Sequence, residues 1–92
     1  MMSYQLKAIF KGFVQGVFFR AHIKKLADRF NVKGYVRNRN DSSVEMLAIS
    51  NKETLEKLLD NIKSDPGSAK IDEIKTEFSK TDKKFISFEI RY

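Results

Sequence analysis

The chain has 92 residues, of which 41% are hydrophobic and 12% aromatic, which is enough for one packed core and too few for two ordinary domains. It contains no Cys and a single His, His22, so a disulfide framework, a thiol nucleophile and a metal site of thiolates or paired histidines are excluded. The 18 Lys and Arg against 12 Asp and Glu give a formal charge of +6, which favours anionic partners.

The location of the protein is predicted from the absence of two sequence signals. No apolar run approaches the roughly 20 residues of a membrane-spanning helix, and the first residues, Met1 to Gln5, lack the apolar stretch of a signal peptide. We therefore expect one cytoplasmic domain over residues 1–92, a monomer without membrane contact. The basic residues are scattered, and most of them are expected on a solvated surface.

The first half of the chain predicts a strand, a helix and a hairpin. Residues 4–11 alternate with a period of two, which indicates a strand with one better-buried face. Residues 20–31 have the apolar stripe of a helix, and Asn31 is suited to its C-terminal cap; the stripe consists of Phe19, Ile23, Leu26, Ala27 and Phe30. Two extended runs, 33–39 and 43–49, flank the turn Asn40-Asp41-Ser42, as in a hairpin.

The second half predicts another helix and two strands. Ser50 and Glu53 form a capping-box pattern, and an apolar stripe at helical spacing follows at Leu55, Leu58, Leu59 and Ile62. The run Ser64-Asp65-Pro66-Gly67 ends this helix, because proline cannot continue the hydrogen-bond ladder. Strands are predicted at residues 71–78 and 85–91, the second with Ile86, Phe88 and Ile90 on one side.

This order of elements predicts the fold class. Strand, helix, strand, strand, helix, strand, with one more strand near the end, is the split β-α-β pattern of ferredoxin-like domains. We expect an α+β, ferredoxin-like α/β sandwich whose antiparallel or mixed sheet has four to five strands. Because each helix has a single apolar stripe, both helices are expected to pack on one face of the sheet.

Two segments have residues suited to anion chemistry. Residues 12–19 connect the first strand to the first helix and include two glycines, which adopt φ values that other residues avoid. The free N–H groups of the helix N-terminus can bind an anion there, and Arg20 offers bidentate donors at the rim. A tight turn with an exposed arginine remains an alternative. Asn38 lies in a predicted strand, where it either ends the strand before the hairpin turn or holds a water molecule with its side-chain amide.

These segments resemble a known family. The run Gly12-Phe13-Val14-Gln15-Gly16-Val17-Phe18-Phe19-Arg20 is similar to the acylphosphatase signature G-x-V-Q-G-V-x-F-R and matches it at every fixed position. Residues 34–45, GYVRNRNDSSVE, resemble the second motif of that family, G-x-V-x-N-x-x-D-G-x-V-E. The one departure is Ser42, which stands where glycine is usual. The two motifs occur in family order, and the resemblance covers essentially the whole chain.

The resemblance implies an enzyme that hydrolyses the carboxyl–phosphate bond of acyl phosphates, giving a carboxylate and inorganic phosphate, with no metal and no cofactor. It implies that Arg20 and the backbone of the loop bind the phosphoryl group and that Asn38 positions the attacking water. The loop residues in this role are Phe13, Val14, Gln15, Gly16, Val17, Phe18 and Phe19. The Ser42 departure affects the turn and costs about 1 kcal/mol if its φ is positive.

Other residues receive structural interpretations. We expect His22 on the surface, because residues two apart, such as Arg20 and His22, do not share a helix face. We expect Phe18 and Phe19 to be core and loop anchors instead of base-stacking platforms. Glu45 and Glu89 could face each other on neighbouring strands, but nothing in the pattern brings them near Arg20.

The alternative function is an RNA-binding module, because RNA-recognition domains share this order of elements and the chain is basic. Residues 11–14, KGFV, and residues 33–36, KGYV, each begin like the RNP1 pattern of those domains. Neither run continues it, since the first leads through Gly16 into a helix and the second ends in Arg37-Asn38. Nucleic acid is therefore the less favoured partner, after a small acyl phosphate.

Overall fold

The fold is seen in a computed structural model that describes residues 3–92. Met1 and Met2 lie outside the described residues, so the signal-peptide and domain predictions that include them are not tested at those positions. The elements are β1 (Ser3–Phe13), α1 (Phe19–Arg29), β2 (Lys33–Asn38), β3 (Val44–Ser50), α2 (Lys52–Ser64), β4 (Lys70–Thr81) and β5 (Phe88–Arg91). The predicted order of strands and helices is confirmed.

The strands form one mixed sheet in the order β4-β1-β3-β2-β5. β1 pairs antiparallel with both β3 and β4, and β2 pairs antiparallel with β3. β5 adds to β2 in parallel, so β4 and β5 are the edge strands. This α+β arrangement confirms the predicted ferredoxin-like fold.

The core lies between the sheet and the two helices. Leu6, Ala8 and Phe10 alternate along β1 and are fully buried, as a strand with one covered face requires. The predicted stripes of α1 and α2 are also buried, apart from Phe30 at the end of α1, which is half-buried. Each fully buried aliphatic side chain contributes about 1.5–3 kcal/mol. Within residues 3–92, neither helix is long and apolar enough to cross a membrane.

The first strand is longer than predicted. Gly12 and Phe13 belong to β1, where they lie opposite Ile71 and Lys70 beyond a register shift. A Cβ on Gly12 would approach the carbonyl oxygen of Lys70 to 2.3 Å, at a φ of +134°. The residue must therefore be glycine because the β4 backbone passes so close. Local alternation cannot show this pairing, since it depends on a strand far away in the sequence.

The helix caps differ from the prediction by one residue. α2 is capped by Asn51, whose Oδ1 accepts from the Thr54 N–H at 2.8 Å, and not by Ser50, which is the last residue of β3. α1 begins at Phe19, one residue before its predicted start. It ends at Arg29 with Phe30 as its cap, and Asn31 follows at a φ of 57°. That left-handed conformation is typical of Asn just after a cap.

The last two strands also have different bounds. β4 extends to Thr81, because it pairs with β1 as far as Ser3. β5 begins at Phe88 instead of residue 85. Phe88 lies opposite Gly34, near the start of β2, and the Gly34 N–H donates to the carbonyl of the preceding Ser87 at 3.1 Å. Ile86 is accordingly 94% exposed, so it does not share the buried side of Phe88.

A polar cluster stabilises the face of the sheet opposite the helices. Glu45 is 5% exposed and accepts hydrogen bonds from the Tyr35 hydroxyl at 2.9 Å and from Arg37 at 3.2 and 3.3 Å. Burial acts to raise the pKa of Glu45, but these donors outweigh it and hold that pKa below its ordinary value. Burial also raises the pKa of Tyr35. The suggested facing of Glu45 and Glu89 is wrong, because β2 lies between their strands.

The hairpin turn between β2 and β3 has the predicted position. The Arg39 N–H donates to the Ser43 carbonyl at 2.9 Å, and the Ser42 N–H donates to the Arg39 carbonyl at 3.3 Å. Ser42 has a φ of 72°, which is in the left-handed region. The condition under which Ser42 costs stability is therefore met.

We predict that Ser42→Gly raises the free energy of unfolding by about 0.5–1 kcal/mol, because glycine adopts this φ without the steric cost of a Cβ. Urea unfolding followed by circular dichroism measures the change. The matched control is Ser68→Gly, at an exposed turn residue without a positive φ, which should not gain stability. A lower free energy of unfolding for Ser42→Gly would contradict the prediction.

Candidate active site

The loop of residues 14–18 is held at both ends by the core. Phe10, near the end of β1, and Phe19, at the start of α1, pack edge to face with ring centroids 5.3 Å apart and an interplanar angle of 85°. Val14, the first loop residue, is 1% exposed. Because these three apolar side chains are buried together, the loop has a short and fixed path between strand and helix.

The backbone N–H groups of this loop face no protein acceptor. The first helical hydrogen bond of α1 runs from the His22 N–H to the Phe18 carbonyl at 3.0 Å. No N–H of residues 15–21 donates to another backbone or side-chain atom within residues 3–92. Gly16 and Phe18 both have positive φ, 73° and 62°. A left-handed bend before a helix N-terminus is an arrangement that binds anions.

A cavity of about 320 Å³ opens beside the loop, a volume at the small end of the range for metabolite sites. It is lined by Val14, Gly16, Phe18, Phe19, Arg20, Ala21, Asn38, Ile90 and Tyr92. Six of the nine predicted site residues are therefore at one cavity. The other three, Phe13, Gln15 and Val17, do not line it.

Arg20 lies in the first turn of α1 and contacts the end of β5. Its Nη1 donates to the Arg91 carbonyl at 3.2 Å, and its guanidinium carbon is 4.7 Å from the centre of the Tyr92 ring. One turn later, Lys24 Nζ donates to the Phe88 carbonyl at 3.0 Å. Because a guanidinium has five N–H donors, Arg20 retains donors for a ligand after holding β5 in place.

Asn38 is the last residue of β2, opposite Val44. Its Oδ1 is buried and accepts no hydrogen bond within the described chain. A buried amide oxygen without a partner costs about 1–3 kcal/mol, and such atoms are typical of functional sites. The hairpin hydrogen bonds alone therefore do not account for asparagine at this position.

Gln15 has a role that the sequence did not reveal. Its Nε2 donates to the carbonyl oxygens of Arg39 and Ser43, both at 2.9 Å. Ser43 in turn donates from its N–H and its hydroxyl to the carboxylate of Asp41, and these bonds lower the pKa of Asp41. Gln15 thus joins the loop to the end of the hairpin that includes Asn38. The available signal was that Gln15 is the one long polar side chain in an apolar, glycine-containing loop.

Phe18, next to Arg20's helix, is exposed where a buried anchor was expected. Phe19 is buried as predicted, but Phe18 is 86% exposed at the cavity and is not a core residue. The reason is its left-handed backbone, which turns the side chain out of the apolar stripe of α1.

His22 is half-buried and does not line the cavity; its Nε2 lies 2.6 Å from the Asp65 carbonyl oxygen. In the described part of the chain, no three His, Cys, Asp or Glu cluster as metal ligands.

Known proteins resemble this chain over most of its length. The family model described as Acylphosphatase matches residues 6–90. The acylphosphatase of Pyrobaculum islandicum is 36% identical over 81 residues, 87% of this chain and 85% of that protein. The acylphosphatase of Dehalococcoides mccartyi strain 195 is 35% identical over 88 residues, 95% of this chain and 97% of that protein.

A solved structure gives the same result for the fold. The crystal structure of acylphosphatase from Bacillus subtilis superimposes with a TM-score of 0.91 at 31% sequence identity. The superposition covers 97% of this chain and 99% of that one. The similarity therefore includes the loop, the hairpin and both helices.

We predict that Gln15→Glu lowers the free energy of unfolding by about 1–3 kcal/mol at pH 7. The substitution replaces the donating amide with a carboxylate that faces two carbonyl oxygens, so both hydrogen bonds are lost and like partial charges meet. Urea unfolding measures the change. Gln5→Glu, the same substitution at a half-buried position of β1, is the control and should stay within about 0.5 kcal/mol. Equal effects at the two positions would contradict the assigned role of Gln15.

Proposed function

The chain belongs to the acylphosphatase family and is an acylphosphatase, and from this premise we propose how its residues perform the hydrolysis. In this proposal the loop of residues 13–19, through those of its backbone N–H groups that have no protein acceptor, and the guanidinium of Arg20 bind the phosphoryl group of an acyl phosphate. Asn38 orients the attacking water. The products are a carboxylate and inorganic phosphate.

One observation supports this assignment more than any other. Arg20, the free N–H groups of the loop and the unpartnered amide of Asn38 meet at one cavity. The first two are donors suited to a phosphoryl dianion, because a guanidinium binds two phosphate oxygens at once and the helix N-terminus adds about half a positive charge. The third is suited to a neutral water molecule.

The substrate class follows from the chemistry of the leaving group. An acyl phosphate releases a carboxylate whose conjugate acid has a pKa of about 4, so the group departs as an anion and needs no general acid. A phosphate monoester would release an alkoxide, which requires a proton donor or a metal ion. The proposed residues include neither, and they therefore favour the mixed anhydride.

The proposed step is a displacement at phosphorus. The water oxygen forms a bond to phosphorus, the bond between phosphorus and the acyl oxygen breaks, and the electron pair leaves with the carboxylate. The proton of the water passes to the phosphate product and the solvent, because the neutral amide of Asn38 cannot accept it. Arg20 and the loop N–H groups stabilise the charge on the phosphoryl oxygens during transfer.

The proposal includes neither metal nor cofactor, since a guanidinium and backbone N–H groups supply the charge stabilisation. Its partners are a small acyl phosphate and inorganic phosphate. We retain, as predictions, one domain over residues 1–92, a monomer and a cytoplasmic location.

The RNA-binding alternative has less support from the geometry. In the second RNP1-like run, the Tyr35 hydroxyl donates to Glu45, and the guanidinium of Arg91 covers its ring at 4.1 Å. In the first run, Gly12 is inside a strand and Val14 is in the core. Phe13 of the first run is 65% exposed, so the two runs together leave one free ring, whereas RNA-recognition sheets stack two or three bases on their aromatic side chains.

The purified protein should hydrolyse acetyl phosphate at the same rate with and without EDTA, because the proposed residues need no metal ion. Release of inorganic phosphate from acetyl phosphate measures the rate, and ethyl phosphate, an alkyl monoester whose leaving group is an alkoxide, is the control substrate that should react far more slowly. Failure to hydrolyse both acetyl phosphate and benzoyl phosphate, or loss of the activity in EDTA, would contradict the proposal.

We predict that Asn38→Ala lowers kcat for acetyl phosphate by about 10²- to 10³-fold. This is the size of effect seen in other enzymes when one preorganised hydrogen-bonding group of the active site is removed. The inhibition constant of inorganic phosphate should change little, because phosphate is bound by other residues. The free energy of unfolding should not fall by more than about 0.5 kcal/mol, because the substitution removes an oxygen that has no partner.

The control for Asn38→Ala is Asn40→Ala, two residues later in the exposed turn. This substitution also removes a side-chain amide, but at a position outside the cavity. It should leave kcat within about twofold of the parent value. Parent-like kcat in Asn38→Ala would remove Asn38 from the mechanism.

A further inference from the structure

The cavity beside the loop has two chemically different sides. The donors of Arg20, the loop backbone and Asn38 form a polar side, which the proposed function assigns to phosphate and water. The aromatic side chains of Phe18 and Tyr92 line the same cavity, together with Ile90. The proposed hydrolysis of the carboxyl–phosphate bond does not use this aromatic side.

Phe18 contributes little to the core. It is 86% exposed, whereas the adjacent Phe19 is 1% exposed and packs against Phe10. Phe18 has a left-handed backbone, with φ 62° and ψ 22° at the N-cap of α1, a conformation that is costly for a bulky side chain. The fold therefore holds a large apolar ring at the cavity, at a position where a small polar residue is the usual helix cap.

Tyr92 forms the second aromatic surface. It is 99% exposed, and its ring lies 4.7 Å from the guanidinium carbon of Arg20. The aromatic surface therefore begins next to the group that is proposed to bind the phosphoryl oxygens. A substrate bound through its phosphoryl group at Arg20 would extend its acyl group along this surface.

We propose that Phe18 and Tyr92 form the binding subsite for the acyl group and that the enzyme selects acyl phosphates with an aromatic acyl group over short aliphatic ones. This inference rests on the proposed function. Two exposed rings beside the phosphoryl site provide stacking or edge-to-face contacts for an aromatic acyl group, whereas an acetyl group is too small to contact them to the same extent. Apolar exposed area at a small site is a typical determinant of ligand choice.

The test compares benzoyl phosphate with acetyl phosphate as the ratio of their kcat/KM values, measured for the parent and for Phe18→Asn. Asparagine is chosen because it tolerates left-handed φ. We expect the ratio to fall about 3- to 10-fold in the variant, the size of effect expected from one aromatic contact. The loss should lie mainly in a higher KM for benzoyl phosphate, because the ring contacts are made equally in the ground state and the transition state.

Three further variants separate recognition from general damage. Phe18→Tyr retains an aromatic ring and should keep the parent ratio. Tyr92→Ala should lower the ratio in the same direction as Phe18→Asn. Ile86→Asn removes an apolar side chain that is 94% exposed but does not line the cavity, and should keep the parent ratio. Phe18→Gly, which suits a positive φ best, replaces Phe18→Asn if the latter does not fold.

The outcomes distinguish failure of the acyl subsite from failure of the proposed hydrolysis. An unchanged ratio in Phe18→Asn and in Phe18→Gly, with both substrates hydrolysed, overturns the acyl subsite and leaves the proposed function standing. A parent enzyme that hydrolyses neither benzoyl phosphate nor acetyl phosphate overturns the proposed function itself. A reduced ratio in Phe18→Asn and Tyr92→Ala, but not in Ile86→Asn, supports the subsite.

Discussion

The burial of Phe10, Val14 and Phe19 in one core is the constraint on which the site depends. Phe10 is near the end of β1 and Phe19 is the first residue of α1, and their rings are in contact. The chain between them must turn within a few residues, which it does with left-handed backbone at Gly16 and Phe18. A turn this tight leaves the N–H groups of the loop without protein acceptors, so the packing of the core produces the anion-binding geometry.

Hydrogen bonds then bring two other parts of the chain to this loop. The amide of Gln15 donates to two carbonyl oxygens of the hairpin turn that follows Asn38. Arg20 and Lys24, one turn apart on α1, each donate to a carbonyl oxygen of β5. The site therefore combines one backbone loop with side chains from α1 and β2, and its geometry depends on side chains that do not themselves face the proposed reacting atoms.

Helices and strands that are indicated by the residues within them were predictable from the sequence. The helical stripes and the alternation along β1 require only the spacing of apolar residues, and both are found as predicted. Where a tertiary contact sets the end of an element, the local sequence pattern was not sufficient to predict that end. Gly12 and Phe13 belong to β1 because β4 lies beside them. Asn51 caps α2 because β3 continues through Ser50.

The same distinction applies to the candidate site. Arg20 and Asn38 were identified from the two motifs, whereas Ile90 and Tyr92 were not, because the parallel pairing of β5 with β2 that brings them to the cavity has no local signal. The exposure of Phe18 was also not predictable, since its apolar side chain indicated a core position.

The pairing of β1 with β4 joins the first strand to one that lies more than fifty residues later in the sequence, with Ser3 opposite Thr81 and Phe13 opposite Lys70. β1 also pairs with β3, so the central strands of the sheet are assembled from segments far apart in sequence. The entropy of closing such long loops must be paid before these contacts form, which slows folding relative to a domain whose contacts are local. During synthesis on the ribosome, β1 must wait for β4 to emerge before the sheet can close.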